Sequence, residues 1–226
     1  MQRRHFAVSL GTLPAIGLVG VAPAHALGQD AAVAGVRAAL ERGANSAVSL
    51  LGRSDGFLGN PLVRIELPAF MKDAAKLLRA TGQRRRVDEL VTAMNRAAEA
   101  AVPEARTLLV GAVKSMSVED GLKIVRGGET SVTEFFSAKT RTAIGQKFLP
   151  IVSHATEQAS LAKKYDAVAG KAVGMGLMAK EDADLNGYVT GKALDGLYLM
   201  IGEEEKKIRR DPAATGSAIL KQVFGG

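Results

Sequence analysis

Residues 87–105 read VDELVTAMNRAAEAAVPEA, and the period of that stretch decides the fold class. Val87, Leu90, Val91, Met94, Ala98 and Ala101 recur every three or four residues, the spacing that puts apolar side chains on one face of an α-helix. Pro103 has no backbone N–H, and its ring crowds the carbonyl of Glu99, so a kink or break is predicted at residues 99–103. On the flank of the same helix Asn95 and Glu99 stand at i and i+4, and Arg96 reaches Glu99 across one turn at i and i+3. Two readings are open. In one, Arg96 and Glu99 form a structural ion pair where small alanines let a second helix approach closely. In the other, the bend turns Asn95, Arg96, Glu99 and Glu104 toward a cleft, where they bind the polar head group of a ligand. A buried pair of this kind points at another helix or a cleft and away from solvent.

The same period runs outward in both directions. Upstream, Val33, Val36, Leu40, Ala44, Ala47 and Leu51 form an apolar stripe that stops at Gly52. GRSDGFLGNP (52–61) is turn chemistry throughout. Val63, Ile65 and Leu67 then alternate with Arg64 and Glu66, an extended pattern with no partner strand in view, which predicts an arm and not a sheet. Phe70, Ala74 and Leu77 start the next helix. Downstream of Pro103, Leu108, Leu109, Ala112, Val113 and Met116 form a further face. Ser117–Asp120 and Ser131–Glu134 both have the serine-to-acid spacing of a helix start. Phe135, Phe136, Ile144 and Phe148 lead to Pro150, where a second break is expected. Ile151, Val152, Ala155, Ala159 and Ala162 continue toward Tyr165, residues 174–184 read as a loop, and Asp184 caps a long helix carrying Leu185, Val189, Leu197, Ile201 and Ile208. Asp211-Pro212 opens a short terminal helix with Ile219, Leu220 and Val223. The prediction is an all-α, multi-helix bundle of about eight helices, residues 27–226 forming one domain, with one irregular extended arm near residues 52–67.

The first twenty-six residues, MQRRHFAVSLGTLPAIGLVGVAPAHA, have a basic start, an apolar run and a small-residue end. That is the layout of a cleavable export signal, with cleavage expected after Ala26 and a periplasmic address. Arg3-Arg4 also fits a twin-arginine signal, and the route stays open between that and general secretion. Loss of the leader removes Arg3 and Arg4 and no acid, lowering the formal charge from +7 to +5. A mild basic excess in an exported protein suits anionic envelope polymers or lipid head groups better than nucleic acid. Aromatic residues do not interleave with the basic ones as a base-stacking surface requires. No transmembrane span is expected in the mature chain.

The absence of cysteine excludes disulfides, thiolate metal sites and a lipoprotein anchor. His154 is the one histidine left after the leader, so no His-rich metal site can form and a Ser-His-Asp set would have to use it. No phosphate loop, dinucleotide fingerprint or metalloprotease helix is present. The glycines at 52, 56 and 59 read as turn residues rather than a phosphate cradle. Carboxylates remain, and Glu99, Glu104, Asp195 and Glu204 lie in or beside apolar stripes, so a carboxylate-dependent hydrolase acting on envelope glycan is the alternative function. The runs Arg84-Arg85-Arg86 and Glu203–Arg210 read as solvated helix surface, the second with Glu203–Lys207 and Glu205–Arg209 pairs.

GRSDGFLGNPLVRIELP, MNRAAEAAVPEA, MSVEDGLKIVRGG, FLPIV and KALDGLYLMIGEEEKKIRRDPAATGSAILKQVFG resemble a bacterial family, domain of unknown function 4197, from about residue 29 to the end. The resemblance implies an exported, mostly helical envelope protein of a Gram-negative bacterium, and it implies no activity, cofactor or site residue. The reading preferred from the residues is a non-enzymatic exported module that binds an amphipathic small molecule or a partner envelope protein, with Met and Phe side chains lining a flexible apolar pocket and with no cofactor or metal.

Overall fold

The protein, seen in a computed structural model, is described over residues 24–69, 71–158, 174 and 184–211. Among these residues the secondary structure is helical and no strand forms. Seven α-helices follow in order: α1 (Ala24–Leu51), α2 (Met71–Ala80), α3 (Arg84–Ala101), α4 (Ala105–Lys114), α5 (Val118–Arg126), α6 (Ser131–Gln158) and α7 (Leu185–Arg210). The expected count of about eight is not matched. The expected continuation through Ala159, Ala162 and Tyr165, the loop at 174–184 and the terminal helix with Ile219, Leu220 and Val223 lie outside the described residues, as do Phe70 and the side chains of Ala74 and Leu77.

Pro150 accounts for part of the difference, because α6 runs through it without a break. Ile144, Phe148 and Val152 stand at i, i+4 and i+8 across the proline, and all three are buried. Pro150 and Gln146, whose carbonyl loses its donor, are both on the exposed side. Packing on both sides of the proline outweighs the missing bond. Pro103 behaves as expected. Helix α3 ends at Ala101, a three-residue 3-10 turn covers Val102–Glu104, and α4 starts at Ala105. The backbone keeps right-handed helical dihedrals through the turn, so the chain tightens there and does not reverse.

Two long helices organise the bundle. Helix α1 packs on α4, α5 and α7, α6 packs on α3, α4 and α7, and α2 lies outside on α3. All six residues of the expected α1 stripe are buried. Met94, Phe57, Phe136 and Phe148 are fully buried in the single core, so side chains expected to line a flexible pocket fill the interior instead. Ser117 and Asp120 form the reciprocal cap at the start of α5. Helix α6 begins one residue earlier than its Ser131–Glu134 spacing predicts. Thr130 donates its hydroxyl proton to Glu134 at 2.9 Å, and the Ser131 hydroxyl bonds the backbone of the α5–α6 junction. Asp184 caps α7 through the Asn186 N–H.

Residues 52–69 form the irregular arm. Val63, Ile65 and Leu67 are buried while Arg64 and Glu66 are exposed, which is the alternation of an extended segment lying on a core. The positive φ in the arm's turn belongs to Asp55, at 64°, and not to a glycine. Gly56 is required for a different reason. A Cβ there would sit 2.4 Å from the Leu51 carbonyl oxygen and 2.6 Å from that of Leu50, backbone atoms that cannot step aside.

Candidate functional site

The flank of α3 holds the arm in place. Asn95 is fully buried, and its Oδ1 accepts from the Ile65 N–H at 2.8 Å while its Nδ2 donates to the Ile65 carbonyl at 2.8 Å. Nδ2 also donates to the Val91 carbonyl one turn back. One turn on, Glu99 Oε1 accepts from the N–H groups of Phe57 and Leu58, both at 3.0 Å. Glu99 Oε2 accepts from Arg96 at 2.6 Å, and Arg96 donates further to Asp55 Oδ1 at 2.8 Å and Ser54 Oγ at 3.0 Å. The pair is lopsided: the Glu99 side chain is 5% exposed and that of Arg96 41%. The Glu99 carboxylate, helped by Asp55, holds the Arg96 guanidinium above its ordinary range. These side chains therefore face the arm, and not a second helix. Glu104 is exposed on the 3-10 turn and makes no bond to the other three.

Seating the arm creates a groove between it and α7. The Tyr188 hydroxyl donates to the Glu66 carbonyl at 2.9 Å and ties the arm to that helix. Gly196 makes the approach possible, because a Cβ there would lie 2.7 Å from Phe57 Cε1 and 3.2 Å from Val63 Cβ. The groove has a volume of about 400 Å³. Four large apolar side chains are strongly exposed among the described residues, and two of them, Leu62 and Leu199, line this groove. Its charges are asymmetric. Arg64 is paired with Glu66 at 2.8 Å and Asp195 with Arg141 at 2.6 Å, leaving the exposed Lys72 and Lys192 without a carboxylate partner among the described residues. The Lys192 ammonium lies 5.8 Å from the Tyr188 ring centroid.

A second polar centre sits where α7 meets the α5–α6 junction. Glu205 is buried, which corrects the reading of 203–210 as solvated surface. Its Oε1 takes the Arg209 guanidinium at 2.9 Å, with Ser131 Oγ at 3.3 Å and the Val132 N–H at 3.4 Å. Arg209 donates in turn to the Ile124 carbonyl at 2.9 Å. The carboxylate thus faces the N-terminus of α6 and the guanidinium the C-terminus of α5, each the favourable sign for that helix end. Burial nevertheless pushes the Glu205 carboxyl up from its ordinary range, against the opposing pull of Arg209. The spacing carried this signal, since Glu205 stands four residues after Ile201 and three before Ile208 on the buried face. Glu203 pairs with Lys206, not with the expected Lys207, which instead bonds Glu204.

The remaining chemistry is dispersed. His154 is exposed on α6, and its neighbours bond Asn186 on α7, whose Nδ2 donates to Ser153 Oγ and whose Oδ1 accepts from Thr156 Oγ1. The two buried carboxylates among the described residues, Glu99 and Glu205, belong to networks that share no partner. Among the described residues no three His, Asp or Glu side chains converge on a point that suits a metal ion, and no helix is long and apolar enough to cross a membrane. Lys72, Lys192, Leu62 and Leu199 were not singled out by sequence reasoning, because nothing in their spacing shows that the arm folds back beside α7. A family model with the description Protein of unknown function (DUF4197) matches residues 26–225. No curated protein and no solved structure matches the chain.

Proposed function

Because the chain belongs to the DUF4197 family, whose description names no activity, we propose a function from this chain's own surface: a non-enzymatic module that holds an anionic amphipathic small molecule between the arm and α7. The observation that carries the reading is the coincidence of Leu62 and Leu199 with two uncompensated lysines in one groove. An acyl chain covers the leucines, and Lys72 and Lys192 meet the anionic head group. In the same reading Asn95, Arg96 and Glu99 build the groove by seating the arm, and the protein works in the periplasm after removal of residues 1–26. The basic start, apolar run and small-residue end of residues 1–26 are what support that address.

Titration with dodecanoate, followed by calorimetry and by amide chemical shifts, tests the ligand. Saturable binding is expected, with shifts at Leu62, Lys72, Lys192 and Leu199. Changing both lysines to alanine weakens it by about tenfold, the loss of two exposed charge contacts, and Leu199→Asp abolishes it. Binding unaffected by all three changes, or none at all, refutes the reading. Cell fractionation tests the address. Replacing Arg3 and Arg4 with lysine blocks export by the twin-arginine route and leaves general secretion intact.

A further inference from the structure

Six basic side chains gather on the corner that α2 makes with α3. Lys72, Lys76 and Arg79 stand at i, i+4 and i+7, which puts them on one side of α2, and all three are exposed. Beyond the turn at Thr81-Gly82, Arg84, Arg85 and Arg86 occupy the first turn of α3 and are exposed as well. Residues 72–89 hold six basic residues against the acids Asp73, Asp88 and Glu89, a surplus of +3 in a chain whose total is +7. Helix α2 packs on α3 at the outside of the bundle.

The fold gains little from these charges. The start of an α-helix carries partial positive charge and favours acids, yet α3 opens on three arginines and no acid. Gln83 at its N-cap makes no side-chain cap, and the Gln83 amide oxygen accepts from Arg86 at 2.9 Å instead. Arg84 pairs with Asp88 at 3.5 Å and Arg85 with Glu89 at 2.7 Å, each with the base before the acid, the weaker order on a helix. Those two arginine side chains are 78% and 90% exposed, where ion pairs contribute little. Asp88 is shared with Arg79, and Arg86 has no carboxylate partner among the described residues. Positive charge is thus concentrated where it opposes the local helix and serves no contact in the core.

We propose that the α2–α3 corner is a docking surface for an anionic phospholipid bilayer. Lipid head groups present a sheet of negative charge that meets cations on two adjoining helices at once, and each basic side chain near such a surface adds to the attraction. The head groups also offset the conflict between Arg84, Arg85 and Arg86 and the positive end of α3. Residues 71–89 contain no aromatic side chain on which a nucleic-acid base could stack. The choice of a bilayer over another polyanion rests on the acyl-binding reading of the arm groove. Lys72 begins the α2 stripe and also lines that groove, so docking by this corner holds the groove beside the membrane that supplies its ligand.

The test is sedimentation of the full chain with vesicles of phosphatidylcholine, with and without phosphatidylglycerol. Binding is expected only with the anionic lipid, and about 0.5 M salt should reverse it, because charges are then screened within a few ångströms. Changing Arg84, Arg85 and Arg86 together to glutamine should weaken binding about a hundredfold, the loss of three charges near the surface. The same variant should melt no earlier than the wild type, since the arginines oppose the start of α3, and should still bind dodecanoate. Leu199→Asp should do the converse, keeping the vesicles and losing dodecanoate, which separates failure of the docking surface from failure of the groove. Equal vesicle binding by wild type and triple variant, or binding that survives high salt, overturns the proposal. So does full displacement from the vesicles by polyglutamate at equal charge, which would assign the corner to polyanions at large. If the triple variant does not fold, Lys76→Gln with Arg79→Gln on α2 decides, and undiminished vesicle binding by that pair refutes the surface.

Discussion

The side-chain amide of Asn95 bonds both the N–H and the C=O of Ile65, each at 2.8 Å. A helix side chain thereby does for the arm what a neighbouring strand does in a sheet, and it explains how an extended segment is stable with no strand beside it. Asn95→Ala leaves both Ile65 groups buried and unpaired. The expected loss is about 2–5 kcal/mol in urea unfolding. A loss under about 1 kcal/mol would show that the arm holds without this contact.

Glu99 is tested by two substitutions whose contrast separates its roles. Glu99→Ala strips the acceptor from the Phe57 and Leu58 N–H groups as well as the partner from Arg96. Glu99→Gln keeps an acceptor for the arm and loses the charge together with the Oε2 that accepts from Arg96. Because Arg96 is 41% exposed and retains Asp55, the glutamine variant should cost about 1 kcal/mol and the alanine variant about 2–4 kcal/mol. Equal losses in thermal melts would assign the effect to the ion pair and not to the arm.

Gly196→Ala sets two opposed effects against each other. Alanine raises helix propensity by about 1 kcal/mol, but its Cβ falls 2.7 Å from a ring atom of the fully buried Phe57. Overpacking at about 1–3 kcal/mol should prevail, with relief coming from displacement of the arm. Trypsin should then cut faster at Arg53 and Arg64, both exposed. An unchanged cleavage rate with a raised melting temperature would show that Phe57 can yield.

Stability should depend on pH through Glu205. Burial raises its folded-state pKa above the ordinary 4.5, and Arg209 opposes the rise. A raised pKa means the folded protein holds this proton more tightly than the unfolded chain. The contribution is therefore complete below pH 4.5 and is lost as pH rises through the folded value. Relative to Glu205→Gln, the wild type should gain stability on acidification from neutrality toward that point. A difference that is flat or of opposite slope would mean that Arg209 outweighs burial.

The helical part of the molecule could be read from the chain because helix formation leaves a local record. The stripe from Val33 to Leu51 is buried at every named position, and the Ser117–Asp120 cap forms where its spacing indicated. The break after Ala101 followed from the chemistry of one residue, Pro103. Pro150 has the same chemistry and gave no break, since the fate of a proline also depends on what packs to either side of it. Phe148 and Val152, buried against partners distant in the chain, keep α6 whole. That information is not local.

The candidate polar residues divide along the same line. Sequence placed Asn95, Arg96 and Glu99 on one flank, because i, i+3 and i+4 positions share a helix side whatever surrounds them. It could not say that their partner is a segment thirty to forty residues upstream, because arm-to-helix hydrogen bonds have no period. Glu205 shows the limit most sharply. Its place on the apolar stripe was legible, yet a carboxylate at that position is solvated or buried according to whether α1, α5 and α6 close over it. Packing of those helices left it 5% exposed with one oxygen bare. The groove lysines, Lys72 and Lys192, are 120 residues apart and meet only because Tyr188 and Gly196 let the arm lie against α7. Local periodicity determined which faces of this protein are apolar, and tertiary closure alone decided which charges those faces keep from water.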